Sequence, residues 1–159
     1  MTPKLRVSFN SPQSGFMSIG LDAGAAHFVT AVAHLPYDSL RDLITALSAL
    51  CAGEKKVVVK WNCEPEEYDF EFHRKGGEAE LNIVRFPNHQ RLNSKREIVF
   101  SYSDSAANIC ESFRVALSEL YMDRNVDEFD KNWRREFPEE AMRELTSRLK
   151  TVKQPHSQE

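Results

Sequence analysis

Between positions 68 and 73, Tyr68, Phe70 and Phe72 alternate strictly with Asp69, Glu71 and His73. Successive side chains of a strand point to opposite faces, so this pattern predicts a strand with one aromatic, inward face and one polar face. The same period of two recurs at Leu5, Val7 and Phe9, at Met17, Ile19 and Leu21, and at Ile98, Phe100 and Tyr102. Repeated half-buried strands predict an antiparallel sheet that packs on one side and is wet on the other. They exclude the continuous apolar strands of a doubly wound parallel fold.

The punctuation between these segments fits a meander. Ser11-Pro12-Gln13-Ser14-Gly15 and Asp22-Ala23-Gly24 are turns by composition, and Pro36 stops a third strand that begins at His27. Ser39 and Asp42 have the spacing of a variant capping box. Leu40, Leu43, Ile44, Leu47 and Leu50 then share one helical face, and Gly53 is placed to end the helix. A β-rich run from Val57 to Trp61 is interrupted by Pro65. Gly76-Gly77 supplies a tight hairpin into a return strand at Leu81–Val84, and Pro87 to Ser94 reads as a polar loop. Asp104 or Ser105 is placed to cap a second helix, whose apolar stripe runs from Ala106 through Ile109, Phe113 and Leu117 to Tyr121. The expected fold is α+β: an antiparallel sheet of about six strands, two amphipathic helices on one face, and a helical C-terminal appendix.

Phe129, Trp133 and Phe137 recur four apart, and Pro138-Glu139-Glu140 opens a last helix with a thin stripe of Met142, Leu145 and Leu149. Such a segment can dock on a core but hardly fold alone. With 159 residues and 41% hydrophobic content, one core is affordable and two are not. The expected organisation is a single domain over residues 1–152, with its core at 4–124, the appendix at 125–152, and a flexible tail at 153–159.

A net charge of -3 weighs against nucleic-acid binding, which needs a concentrated Lys/Arg surface. No apolar run approaches the roughly 18 residues of a membrane span, and no signal peptide is visible. Cys51, Cys63 and Cys110 are an odd number of cysteines at long spacings, which suits reduced thiols. These features predict a cytoplasmic protein without membrane or nucleic-acid partners. No cofactor motif is present: Gly76-Gly77 lies between two strands, whereas phosphate-binding loops lead from a strand into a helix.

The densest charge cluster is Glu64-Pro65-Glu66-Glu67-Tyr68-Asp69-Phe70-Glu71. Read functionally, Glu64, Glu66, Glu67, Asp69 and Glu71 form a negative patch for a basic protein partner, joined by His89 and Arg91 from the following loop. Read plainly, they are a solvated strand face and turn. His27, His34, His73 and His89 form no pair at zinc-ligand spacing, so no metal site is expected. Catalytic residues are not indicated either, although Cys63 with a histidine base, or His73 with the carboxylates, defines a competing small-enzyme reading. A structural or adaptor role is the third alternative.

The order of strand meander, Ser39-led helix, Glu64-Pro65 before an aromatic strand, second helix, and Phe129-x-x-x-Trp133-x-x-x-Phe137-Pro138 resembles small uncharacterised bacterial α+β proteins. Among these are immunity proteins of polymorphic toxin systems. The resemblance implies a non-enzymatic inhibitor that binds a cognate toxin, possessing no residue whose role can be carried over.

Overall fold

The computed structural model describes residues 4–153, so residues 154–159 of the expected tail lie outside the described residues. Three strands, β1 (Arg6–Phe9), β2 (Phe16–Asp22) and β3 (His27–Ala33), form one antiparallel sheet, sheet A. After helix α1 (Ser39–Cys51), strands β4 (Lys56–Asn62), β5 (Glu67–Lys75), β6 (Glu78–Phe86) and β7 (Glu97–Ser105) form a second antiparallel sheet in sequential order, sheet B. Helices α2 (Ala106–Met122), α3 (Phe129–Trp133) and α4 (Glu139–Lys153) follow.

The α+β class and the antiparallel pairing thus hold, but the single sheet of about six strands is corrected to two sheets of three and four strands. The reason lies at the junction of β3 and β4. Pro36 closes β3; on the facing edge of β4 the Lys60 carbonyl accepts from Ser39 Oγ, and just beyond β3 the Leu35 carbonyl accepts from Asn62 Nδ2 at 2.8 Å. Backbone groups already satisfied in this way are not available for a ladder between the sheets. Ser39 is therefore not the helix cap expected from its spacing. Asp38 holds the N-cap position without a side-chain cap bond, and the Ser39 hydroxyl fastens α1 to sheet B. Ser105 does cap α2, accepting from the Asn108 amide at 3.0 Å.

The inner face of sheet B carries Val59, Trp61, Phe70, Phe72, Leu81 and Ile83, all essentially inaccessible to solvent. Phe113 of α2 meets Phe70 and Phe72 with ring centroids at 6.4 and 5.8 Å. Phe28 of β3 meets Tyr68 and Phe70 edge-on at 5.0 and 6.2 Å, which brings the two sheets to a shared core. Helix α4 packs against both α1 and α2. Buried residues from Leu5 to Leu149 belong to one hydrophobic cluster, including Phe129, Trp133, Phe137, Met142, Leu145 and Leu149 of the appendix. The appendix is therefore a layer of the core. It is tied to sheet A as well: Gly15 N donates to the Asn132 carbonyl at 2.7 Å, and Arg135 Nε donates to the His34 carbonyl at 2.6 Å.

Candidate functional site on the outer face of sheet B

The polar face of β5 presents Glu67, Asp69, Glu71 and His73 in a row, because alternation sends every second side chain outward. A wet face is expected here, and the structure departs from it. Glu67 is 3% exposed and Asp69 6%, since the connection between β6 and β7 folds back over them. Arg91, at φ 51°, points down from that loop. Its Nη1 donates to Glu67 Oε1 at 2.8 Å and its Nη2 to Asp69 Oδ1, while the guanidinium stacks over the Phe86 ring at 4.5 Å. The buried carboxylates thereby gain the partner without which burial costs several kcal/mol, about 3–5 for a broken pair. Burial works against the Arg91 charge, yet the hydrogen bonds to Asp69 and Glu67 hold its pKa above the ordinary arginine value.

Tyr37, from the segment leading into α1, completes the cluster by donating to Glu67 Oε1 at 2.8 Å. Its phenol is raised above the usual tyrosine range, first by burial and then by the bond to Glu67. On one side of this centre Arg85 of β6 binds Glu66 and approaches Glu97 at 3.8 Å. On the other, Arg96 Nη2 donates to Glu71 Oε1 at 2.9 Å, and His73 Nε2 lies 3.6 Å from the same oxygen. The acidic stretch is thus laced to Arg85, Arg91 and Arg96, and the negative patch expected with Arg91 and His89 beside it is an array of paired charges.

The loop so anchored is ordered by its own bonds. Asn88 Oδ1 accepts from the Gln90 amide at 3.0 Å and the Asn88 carbonyl from the Arg91 amide at 3.2 Å, and a single 3-10 turn at Asn93–Lys95 follows. With Arg91 fixed inward, Leu92 is turned outward and is 51% exposed, near Ile98 in sequence terms at the start of β7, itself 52% exposed. His89 and Gln90 are exposed at the crest.

Of the sequence-predicted site residues, Glu67, Asp69 and Arg91 converge directly, Glu66 and Glu71 flank them, and Glu64 and His89 remain on the exposed rim. Tyr37, Arg85 and Arg96 were not foreseen. Arg85 and Arg96 bracket the 87–94 loop, and buried acids require cations, so the signal existed for them; nothing near Tyr37 announced it.

Cys63 and His73 do not converge, whereas His73 does meet the Glu71 carboxylate. Cys63 adjoins the Asn62↔Glu67 end of the β4–β5 ladder and His73 lies at the Lys56↔His73 end, a separation of roughly 20 Å along the strands. Burial pushes the Cys63 thiol up to about 11, against a hydrogen bond with Thr30 that lowers it, which is the opposite of an activated nucleophile. Among the described residues no three His, Cys, Asp or Glu side chains are grouped to hold a metal ion, and no helix is long and apolar enough to cross a membrane. A polar groove of about 590 Å³ lies elsewhere, between Arg41 of α1, the 124–131 segment and the start of α4, where Arg124 meets Glu139 at 3.2 Å. No protein-family model, curated protein or solved structure matches this chain.

Proposed function

We propose that this chain is a non-enzymatic protein-binding module that engages its partner with the 87–96 loop and the adjoining rim of sheet B. The observation that carries the reading is the anchoring of Arg91. A loop longer than a hairpin requires is held rigidly by a buried ion pair, and in consequence it presents Leu92 to solvent. Preordering of a binding loop removes the entropy that association otherwise costs. An exposed aliphatic group rimmed by charge has the anatomy of an interface centre.

The partner is a basic protein, and in its specific form the proposal is that the chain is an immunity protein neutralising a toxin domain. The net charge of -3 favours such an encounter, and Glu64 and Glu97 supply exposed carboxylates beside the loop. The test is co-expression with each protein encoded beside it. A cognate partner should copurify and its toxicity should be suppressed, whereas Leu92→Asp should abolish both with an unchanged unfolding midpoint. Lack of protection and of any copurifying neighbour, or a complex indifferent to Leu92→Asp, rejects the proposal.

A further inference from the structure

Two of the three cysteines meet inside the helical layer. Cys51 is the last residue of α1, and Cys110 lies in the second turn of α2. Cys110 Sγ donates to the Leu47 carbonyl at 3.5 Å, and Leu47 stands one turn before Cys51 on the same face of α1. This places Cys110 Sγ against the last turn of α1, where Cys51 sits, and the neighbouring Cys110 thiol is the largest influence on the Cys51 pKa. The two thiols differ in access, since Cys51 is only partly covered while Cys110 is completely buried. Arg74 reaches over from β5 to the end of α1, donating to the Leu50 carbonyl and, at 3.3 Å, to the Cys51 carbonyl.

We infer that Cys51 and Cys110 form a peroxide-oxidisable thiol pair, with Cys51 as the attacking sulfur and Cys110 as the resolving one. The seating of Cys110 Sγ on the last turn of α1, the access of Cys51 and the nearby guanidinium carry the assignment. The neighbouring Cys110 thiol lowers the Cys51 pKa against the effect of burial, and the Arg74 guanidinium favours the same thiolate. In the first step Cys51 Sγ attacks one oxygen of hydrogen peroxide. The O–O bond breaks, hydroxide leaves and takes up the thiol proton as water, and Cys51 becomes a sulfenic acid. Cys110 Sγ then attacks Cys51 Sγ, forming the S–S bond as the S–O bond breaks, and hydroxide leaves with the Cys110 proton as a second water. Two thiols are oxidised and one peroxide is reduced. The bond joins the end of α1 to α2 and closes a loop containing all of sheet B, which constrains the unfolded chain.

The experiment treats the reduced full chain with hydrogen peroxide under native conditions, alkylates the remaining thiols after unfolding, and maps the peptides by mass spectrometry. The expected product is a Cys51–Cys110 cross-linked peptide lighter by two hydrogens, with Cys63 alkylated, a higher urea midpoint, and full reversal by dithiothreitol. Cys110→Ala should accumulate a Cys51 sulfenic acid that a dimedone probe captures, and Cys51→Ala should leave Cys110 fully alkylated. The inference is overturned if both thiols are alkylated in the treated wild type, if the cross-link involves Cys63, or if Cys110 oxidises equally well in Cys51→Ala. Should Cys110→Ala not fold, the wild-type map and Cys51→Ala still decide.

Discussion

The outer faces of the two sheets come from the same period-two pattern and end in different states. On sheet A the outward row contains Ser8, Gly20 and Ala31 beside Val29, which is 75% exposed, and the face lies open. On sheet B the outward row contains Glu67 and Asp69, which are nearly as inaccessible as the aromatic residues on the other side. The difference is the 87–96 loop, whose Arg91 binds both acids, together with Tyr37 beside Glu67. Alternation decides which side chains point outward, and whether outward means wet is decided by what folds back over them. Removing the cover from sheet B, or adding chemistry to sheet A, should therefore have very unequal consequences.

The largest effect is expected from Arg91→Ala. It leaves Glu67 and Asp69 beneath the loop without their cation, and the cost should be about 3 kcal/mol, at the low end of the range for a broken buried pair because the loop can lift and admit water. Urea unfolding measures it. In a Glu67→Gln, Asp69→Asn background the same substitution should cost far less, which a double-mutant cycle reads directly. A cost below about 0.5 kcal/mol in the wild-type background would show that the loop does not bury these groups.

A smaller loss is expected from Gly15→Ala, where sheet A meets the appendix. Gly15 has φ 81°, and an added Cβ would lie 2.5 Å from His34 Nδ1, an atom of a ring packed edge-on against Trp133. Backbone strain and the displaced ring together should cost about 2 kcal/mol in urea unfolding. Sheet A is thus sensitive at its end and not on its face. If Gly15→Ala is neutral, His34 moves freely and does not anchor the appendix.

The strands were legible in the sequence because the period of two follows from strand geometry itself. Tyr68, Phe70 and Phe72 turned inward as their alternation requires, and Phe129, Trp133 and Phe137 packed as anchors. The division into two sheets was not legible, since it depends on Ser39 and Asn62 taking up backbone groups far away in sequence. The acids and Arg91 were legible as residues of one region, but their burial was not. It follows from the path of a loop, which no periodicity encodes. The thiol pair was hidden for a similar reason: Cys51 and Cys110 belong to α1 and α2, which are separated in sequence by all of sheet B and pack so that Cys110 Sγ rests on the last turn of α1.

Alkaline titration sharpens the comparison through Tyr37. Its folded pKa is raised above 10.0, so the stability linked to the protonated phenol is complete below pH 10 and is lost as pH rises through the folded value. Tyr68 and Tyr102 are raised too, and their loss adds in the same direction. Tyr37→Phe should cost about 1 kcal/mol at pH 7 by removing the bond to Glu67, and should leave a shallower decline above pH 10. An unchanged alkaline slope would place Tyr37 outside the cluster.

The smallest effect is expected on the open face, from Val29→Thr. Gly20, directly opposite on β2, offers no side chain for Val29 to pack against, and threonine matches valine in shape and strand preference. With Val29 75% exposed, the hydroxyl meets water and no partner is lost, so the unfolding midpoint should move by less than about 0.5 kcal/mol. Sedimentation at several concentrations completes the test. If Val29→Thr changes either stability or association, this face is covered by a second copy in solution. The contrast with sheet B would then lie between a face covered by its own loop and one covered by another molecule.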